Sequence, residues 1–247
     1  MQSNLSDKVT PYALAGLLAA SLCACGGGGG GGTAAAVAPT PINFPVQQAL
    51  AHAFTHGLQS TLNITGSSSN GGTTYPLSGS LTYTLSAAIN TTFEGAPAFQ
   101  SIETINGTVS ANGMSTPLAA SIPVYVNAQY APIGSNETGN YCVASTPSSY
   151  PASASAGQTG EVATMKCYTD GSKRTLSSTE KITYVTTAGA DANSLNFQTL
   201  RSVYDLSNKL VSSGTTTYSI SSAGIPKLTR VQISQTHNGI SANVDAK

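Results

Sequence analysis

His52 and His56 stand four residues apart in a stretch of helical periodicity. On a helix this spacing can bring two imidazoles to one metal ion. Ala53, however, fills the place where a zinc protease of the His-Glu-x-x-His type carries its glutamate base. On a helical wheel both rings fall opposite Leu50 and Phe54, so a solvated face is the simpler expectation and no metal is expected. Ser178-Thr179-Glu180-Lys181 has the Ser-x-x-Lys spacing that activates a serine when both residues share a helix turn. The surroundings read as a strand, in which residues three apart point to opposite faces. Glu94 and Glu103 are the first carboxylates to test as an acid/base pair for glycoside chemistry, which needs only that the two approach in space. Nothing in the sequence lifts them above a solvated edge. The chain has no Gly-x-Ser-x-Gly elbow, phosphate loop or dinucleotide fingerprint. The expectation is therefore a non-enzyme with no cofactor.

The four cysteines are more telling. Tyr12 to Leu22 is an apolar run of eleven residues, the length of an export-signal core and too short to span a bilayer as a helix. Leu22-Cys23-Ala24-Cys25 follows, and then an unbroken run from Gly26 to Gly32. With Leu22 at −3 and Ala24 at −1, this stretch resembles the lipobox of bacterial lipoproteins. The resemblance implies a diacylglyceryl group on the Cys25 thiol, removal of residues 1–24, and acylation of the new amino terminus. It implies no other cofactor. Gly26 is not the aspartate that family uses for inner-membrane retention, so the resemblance also implies the outer membrane of a Gram-negative bacterium. The n-region departs from the family, because Asp7 cancels Lys8. In an exported chain the remaining even pair, Cys142 and Cys167, is expected to form a disulfide, with two separate buried thiols as the alternative. The Asn-x-Ser/Thr sequons at Asn63, Asn90, Asn106 and Asn136 are read as composition rather than as glycosylation sites.

Residues 25–43 are rich in Gly, Ala and Pro and read as a flexible tether to a single β-rich domain over residues 44–247. Pro45 is suited to the first position of a helix; Val46, Leu50, Ala53, Phe54 and Leu58 recur at helical spacing, and Gly57 offers a stop. From Leu58 the period changes to two. Leu62 and Ile64 alternate with Thr61 and Asn63, and Leu77, Leu81, Tyr83 and Leu85 alternate with Ser and Thr. Asn112-Gly113 predicts a hairpin between strands 101–111 and 114–127, because both central residues of a type I′ turn need positive φ. Residues 131–140 read as a loop. Further strands follow at 161–169, up to about 187, 195–205, 209–220, 228–235 and from Ile240.

The expected fold is all-β: an antiparallel meander of about ten strands with one short N-terminal helix. Its form is left open between a sandwich and a curved sheet or open barrel, the latter preferred as a cover for the apolar helical face. Charged residues are only 8% of the chain, and ten basic residues balance ten acidic ones. The basic residues from Lys166 onward alternate with acids, so the dense basic footprint that nucleic acids require is missing. The partner implied is a membrane, through the lipid, and a protein or glycan partner is left open. The first functional expectation is a binding or structural module of the envelope; the alternatives are a carrier or sensor of an apolar ligand held between sheet and helix and, ranked last, an envelope enzyme.

Overall fold

In a computed structural model, the described residues are 42–146, 148–237 and 240–247. Cys23, Cys25 and the glycine run lie outside them, as do Asn238 and Gly239. Helix α1 (Val46–His56) contains neither Gly nor Pro and is rich in alanine, the best helix former. Pro45 sits at its cap, one residue earlier than expected, and Gly57 ends it with a φ of 76°. Val46, Ala49 and Ala53 are the buried residues, so the inward stripe is made of small side chains that allow close approach to the strands.

Thirteen strands follow: β1 (Leu58–Asn70), β2 (Thr73–Leu85), β3 (Ile89–Phe93), β4 (Ala96–Ala111), β5 (Met114–Val126), β6 (Pro132–Glu137), β7 (Asn140–Ala144), β8 (Thr159–Tyr168), β9 (Leu176–Ala188), β10 (Ser194–Tyr204), β11 (Leu210–Ser221), β12 (Pro226–His237) and β13 (Ile240–Ala246). Each pairs antiparallel with its neighbours. The sheet then closes on itself: β1 pairs with β13 (Ile64 opposite Ala246) and β2 pairs with β4 (Leu81 opposite Gly107). The result is a closed barrel of twelve strands, with β3 running along the first part of β4 below the end of β2. This corrects the expectation of about ten strands in an open barrel, curved sheet or sandwich. Two added hairpins account for the difference. Glu94 (φ 52°) and Gly95 (φ 77°) turn β3 into β4, and the supposed loop at 131–140 holds β6 and the start of β7. Pro132, Gly134 and Asn136 give these short strands poor intrinsic propensity, so pairing to β5 and β8 defines them. The Asn112-Gly113 turn has the expected pair of positive φ values, 49° and 77°.

The alternation is apolar inward and polar outward. On β1 Leu62 and Ile64 are buried while Gln59, Thr61, Asn63 and Thr65 are exposed. A barrel embedded in lipid carries the reverse pattern. Two inward glycines let β2 and β4 approach closely. A Cβ at Gly79 would stand 2.0 Å from the Thr108 carbonyl oxygen, and one at Gly107 would stand 2.1 Å from that of Ser80.

One seam is thinly stitched. β5 meets β6 only at Val124, Tyr125 and Val126, which leaves the edge from Met114 to Pro123 without a neighbour on that side. Pro117 and Pro123 share parity on this stretch, as they must if neither is to break the ladder to β4. They remove donors from the open edge, which blunts strand-on-strand association.

Cys142 and Cys167 face each other across β7 and β8, both buried, and form a disulfide with a Cα separation of 4.0 Å. Closing a loop of sequence separation 25 constrains the unfolded chain by about 3.5 kcal/mol on the chain-entropy model. That loop also straps the helix. Phe44 and Ala154 exchange two backbone hydrogen bonds at 2.8 and 2.9 Å, and the Gln47 amide donates to the Ala152 carbonyl at 3.2 Å.

Candidate functional site: a charged lumen beneath the helix

Residues of nine strands meet α1 around a cavity of about 170 Å³. Ala49, Leu50, Ala53 and Phe54 form its helical wall. Leu85, Ile105, Val126 and Phe197 supply apolar strand walls, and Tyr83 and Tyr218 add phenols. Phe197 is fully buried between Tyr184, stacked at 5.5 Å, and Tyr150, edge-on at 5.7 Å. At the helix end Tyr130, in the β5–β6 turn with a φ of 59°, stacks on both Phe54 and Phe99 at 5.6 Å.

Charge enters this interior from four strands. Arg201 on β10 grips Glu180 on β9 through two parallel bonds, Nε to Oε1 at 2.8 Å and Nη2 to Oε2 at 2.7 Å. The Glu180 side chain is 2% exposed. Burial works against the guanidinium charge, but the carboxylates of Glu180, Glu103 and Glu137 outweigh it and hold its pKa above the ordinary value. Glu103 faces the cavity from β4, flanked in the ladders by Leu85 and Ile122. Desolvation raises its pKa, opposed by the Arg201 charge and by the Tyr83 phenol, and Glu180 adds to the rise. Glu137 on β6 is likewise raised by desolvation. Tyr83 and Tyr218 are pushed up by burial first and by Glu103 second.

The other candidates are placed elsewhere. The His52 and His56 rings stack 4.4 Å apart on the outer side of α1, and the His52 carbonyl oxygen is 3.1 Å from His56 Nδ1. Among the described residues one trio of possible metal ligands is drawn together, Cys142, Cys167 and Glu180, and the disulfide occupies its two sulfurs. Glu94 and Glu103 do not form a pair. Glu94 lies on the outer β3–β4 hairpin, bound by Lys173 and by the Tyr141 hydroxyl at 2.6 Å, whereas Glu103 lines the lumen. Lys181 points outward to Glu161 at 2.8 Å, away from its β9 neighbour Glu180, so Ser178 and Lys181 share no face.

The lumenal charges were missed as a group, yet a signal existed. Glu103 shares its parity with Ile105, Glu180 with Ile182, and Arg201 with Leu195 and Phe197. A charged residue on the apolar register of a half-buried strand points inward, and three such breaks mark a polar interior.

No family model and no curated protein matches the chain. Two solved structures overlap it loosely. A DUF1329 family protein from Desulfovibrio piger is 11% identical over 83% of this chain and 92% of that one, with a TM-score of 0.24. A LolA superfamily protein from Nitrosomonas europaea is 12% identical over 82% and 91%, with a TM-score of 0.23. Overlaps this loose transfer neither a residue nor a ligand to this chain.

Replacing Arg201 by Met should leave a buried carboxylate without a partner and cost about 3–5 kcal/mol in urea unfolding. The cost should be far smaller in Arg201→Met/Glu180→Leu, where neither charge remains. Glu103→Gln should behave differently. A carboxyl whose pKa is raised by folding binds more protons in the folded chain than in the unfolded one. Stability therefore falls as pH rises from the ordinary value of 4.5 to the raised one. The variant cannot lose that proton, so its melting temperature relative to wild type should be higher at pH 8 than at pH 4. A difference that stays flat or reverses with pH would contradict the desolvated setting.

Proposed function

We propose that the chain is a non-enzymatic, lipid-anchored binding protein of the bacterial envelope, which carries or senses a small ligand inside the barrel. The cavity under α1 supports this reading over a purely structural module. It is bounded by apolar side chains and a few convergent polar groups, the make-up of ligand pockets generally. The exposed large apolar residues, among them Ile89, Met114, Leu206 and Ile225, are spread over strand ends and turns and give no comparable site for a partner. At about 170 Å³ the space lies below the roughly 300–1,000 Å³ of pockets for drug-sized ligands. An engineered cavity of about 150 Å³ accepts benzene, which sets the scale of the occupant. A long acyl chain does not fit the cavity as it stands.

The anchoring half of the proposal rests on Leu22-Cys23-Ala24-Cys25 and the glycines after it. Two or more acyl chains on Cys25 hold a protein stably at a membrane, whereas a single chain is marginal. The tether then holds the barrel clear of the bilayer, whose outward hydroxyl-rich face suits water. Gly26 after the cysteine favours the outer membrane.

Two measurements test the two halves separately. Ala53→Trp should fill the space beside the helix and weaken binding of benzyl alcohol, followed by ligand-observed NMR, at least tenfold; unchanged binding would place the ligand elsewhere. Metabolic labelling with a palmitate analogue should mark the wild-type chain and not Cys25→Ser. Label that persists in that variant would remove the anchor.

A further inference from the structure

We propose that the cavity takes a small organic cation, an ammonium group on an apolar body of about benzene size, with Glu103 as its counter-ion. This rests on reading the lumen as the ligand site and adds the charge of the occupant.

Four ion pairs are formed among the described residues: Lys173–Glu94, Lys181–Glu161, Arg201–Glu180 and Arg230–Asp245. Glu103 belongs to none of them, although it lines the cavity with apolar neighbours on both flanking strands, Leu85 and Ile122. The guanidinium in this interior is committed, its fork closed on Glu180. Lys181 and Arg230 hold acids on the barrel exterior and cannot serve the lumen. Three carboxylates, Glu103, Glu137 and Glu180, thus act on one guanidinium, so the interior leans negative.

The imbalance selects among ligands of equal size. A carboxylate ligand would be desolvated beside Glu103 with no uncommitted cation to receive it, a repulsive and costly placement. A neutral ligand would leave the Glu103 charge as it is. An ammonium pairs that charge in a site where water has been reduced, which makes the pairing stronger than at the surface. Tyr83, Tyr218 and Phe197 border the same cavity, and an aromatic lining favours a cation further. Leu85 directly across from Glu103 places an apolar wall beside the head group, so head and body are received together.

The test uses the full chain carrying Cys25→Ser and three probes of one shape: benzylamine as its ammonium, benzyl alcohol and benzoate. Their dissociation constants are measured at pH 8 by calorimetry or ligand-observed NMR. Benzylammonium should bind at least tenfold tighter than either of the others. In Glu103→Gln its advantage over benzyl alcohol should fall below threefold. Equal or tighter binding of benzoate in the wild type overturns the proposal, and that ratio decides whether or not the variant folds. An ammonium preference that survives in a folded Glu103→Gln also overturns it. Binding of benzyl alcohol without any charge preference would leave the lumen as a ligand site and sink only the cation. Failure of all three probes would sink both.

Discussion

A ring of twelve antiparallel strands encloses more space than its own side chains can fill. About eight strands give an interior that side chains close by themselves, and width grows with strand number. An empty apolar core of that width would forfeit dispersion contacts along its whole lining. The rest of the molecule answers to this one constraint. Helix α1 lies across one end with its small residues inward, Tyr130 wedges between Phe54 and Phe99, and the ring of Phe197 fills the region between Tyr150 and Tyr184. What these groups leave unfilled is the cavity.

The same constraint explains why charge is tolerated inside. A wide lumen has room for a guanidinium and several carboxylates beside the phenols of Tyr83 and Tyr218. The Arg201–Glu180 fork satisfies both partners geometrically, which a buried pair must do if desolvation is not to exceed the attraction. The disulfide abuts this fork, with the Cys142 and Cys167 sulfurs within 4.8 Å of a Glu180 oxygen. Backbone closure and lumenal electrostatics are therefore one neighbourhood. The loop between the two cysteines reaches from there to Phe44 and Gln47 and fixes the entry of the helix.

The sequence made much of this legible. Period-two alternation located most strands, and Asn112-Gly113 and Gly57 were read for the conformations they adopt. The cysteine pair was anticipated from export and even number, and Cys142 and Cys167 fall directly opposite each other in the β7–β8 register. Closure was not legible, because it depends on β1 meeting β13, a pairing between distant strands that no local turn signals. β6 and β7 were hidden because their stability comes from neighbours and not from their own residues. The lumenal site was half-legible: parity marks Glu103, Glu180 and Arg201 as inward, but only the register of β9 against β10 brings a guanidinium to a carboxylate.

The barrel's walls are also unequal, and that inequality bears on how the interior is reached. At the helix, separation would break the two Phe44–Ala154 bonds, the Gln47–Ala152 bond and the Ala88–Phe54 bond at 2.7 Å. At a net of about 0.5–1.5 kcal/mol each these bonds are a modest sum, but Val46, Ala49 and Ala53 would lose their burial with them. At the β5–β6 seam three residue pairs join the strands, and among the described residues the stretch of β5 beyond them is paired on its β4 side alone. Leu118 and Ala120 line this stretch half-buried, whereas Ile122 and Val126, at its paired end, are core residues only 2% exposed. Local opening follows the fewest contacts broken, and in backbone pairing the seam is the thinnest joint of the ladder, with three residue pairs against four at β6–β7 and at β7–β8. A helix that plugs the lumen thus serves to size and line the cavity, and the seam reaches the same cavity through Val124, Val126 and Tyr130, which stacks on Phe54 of the helix.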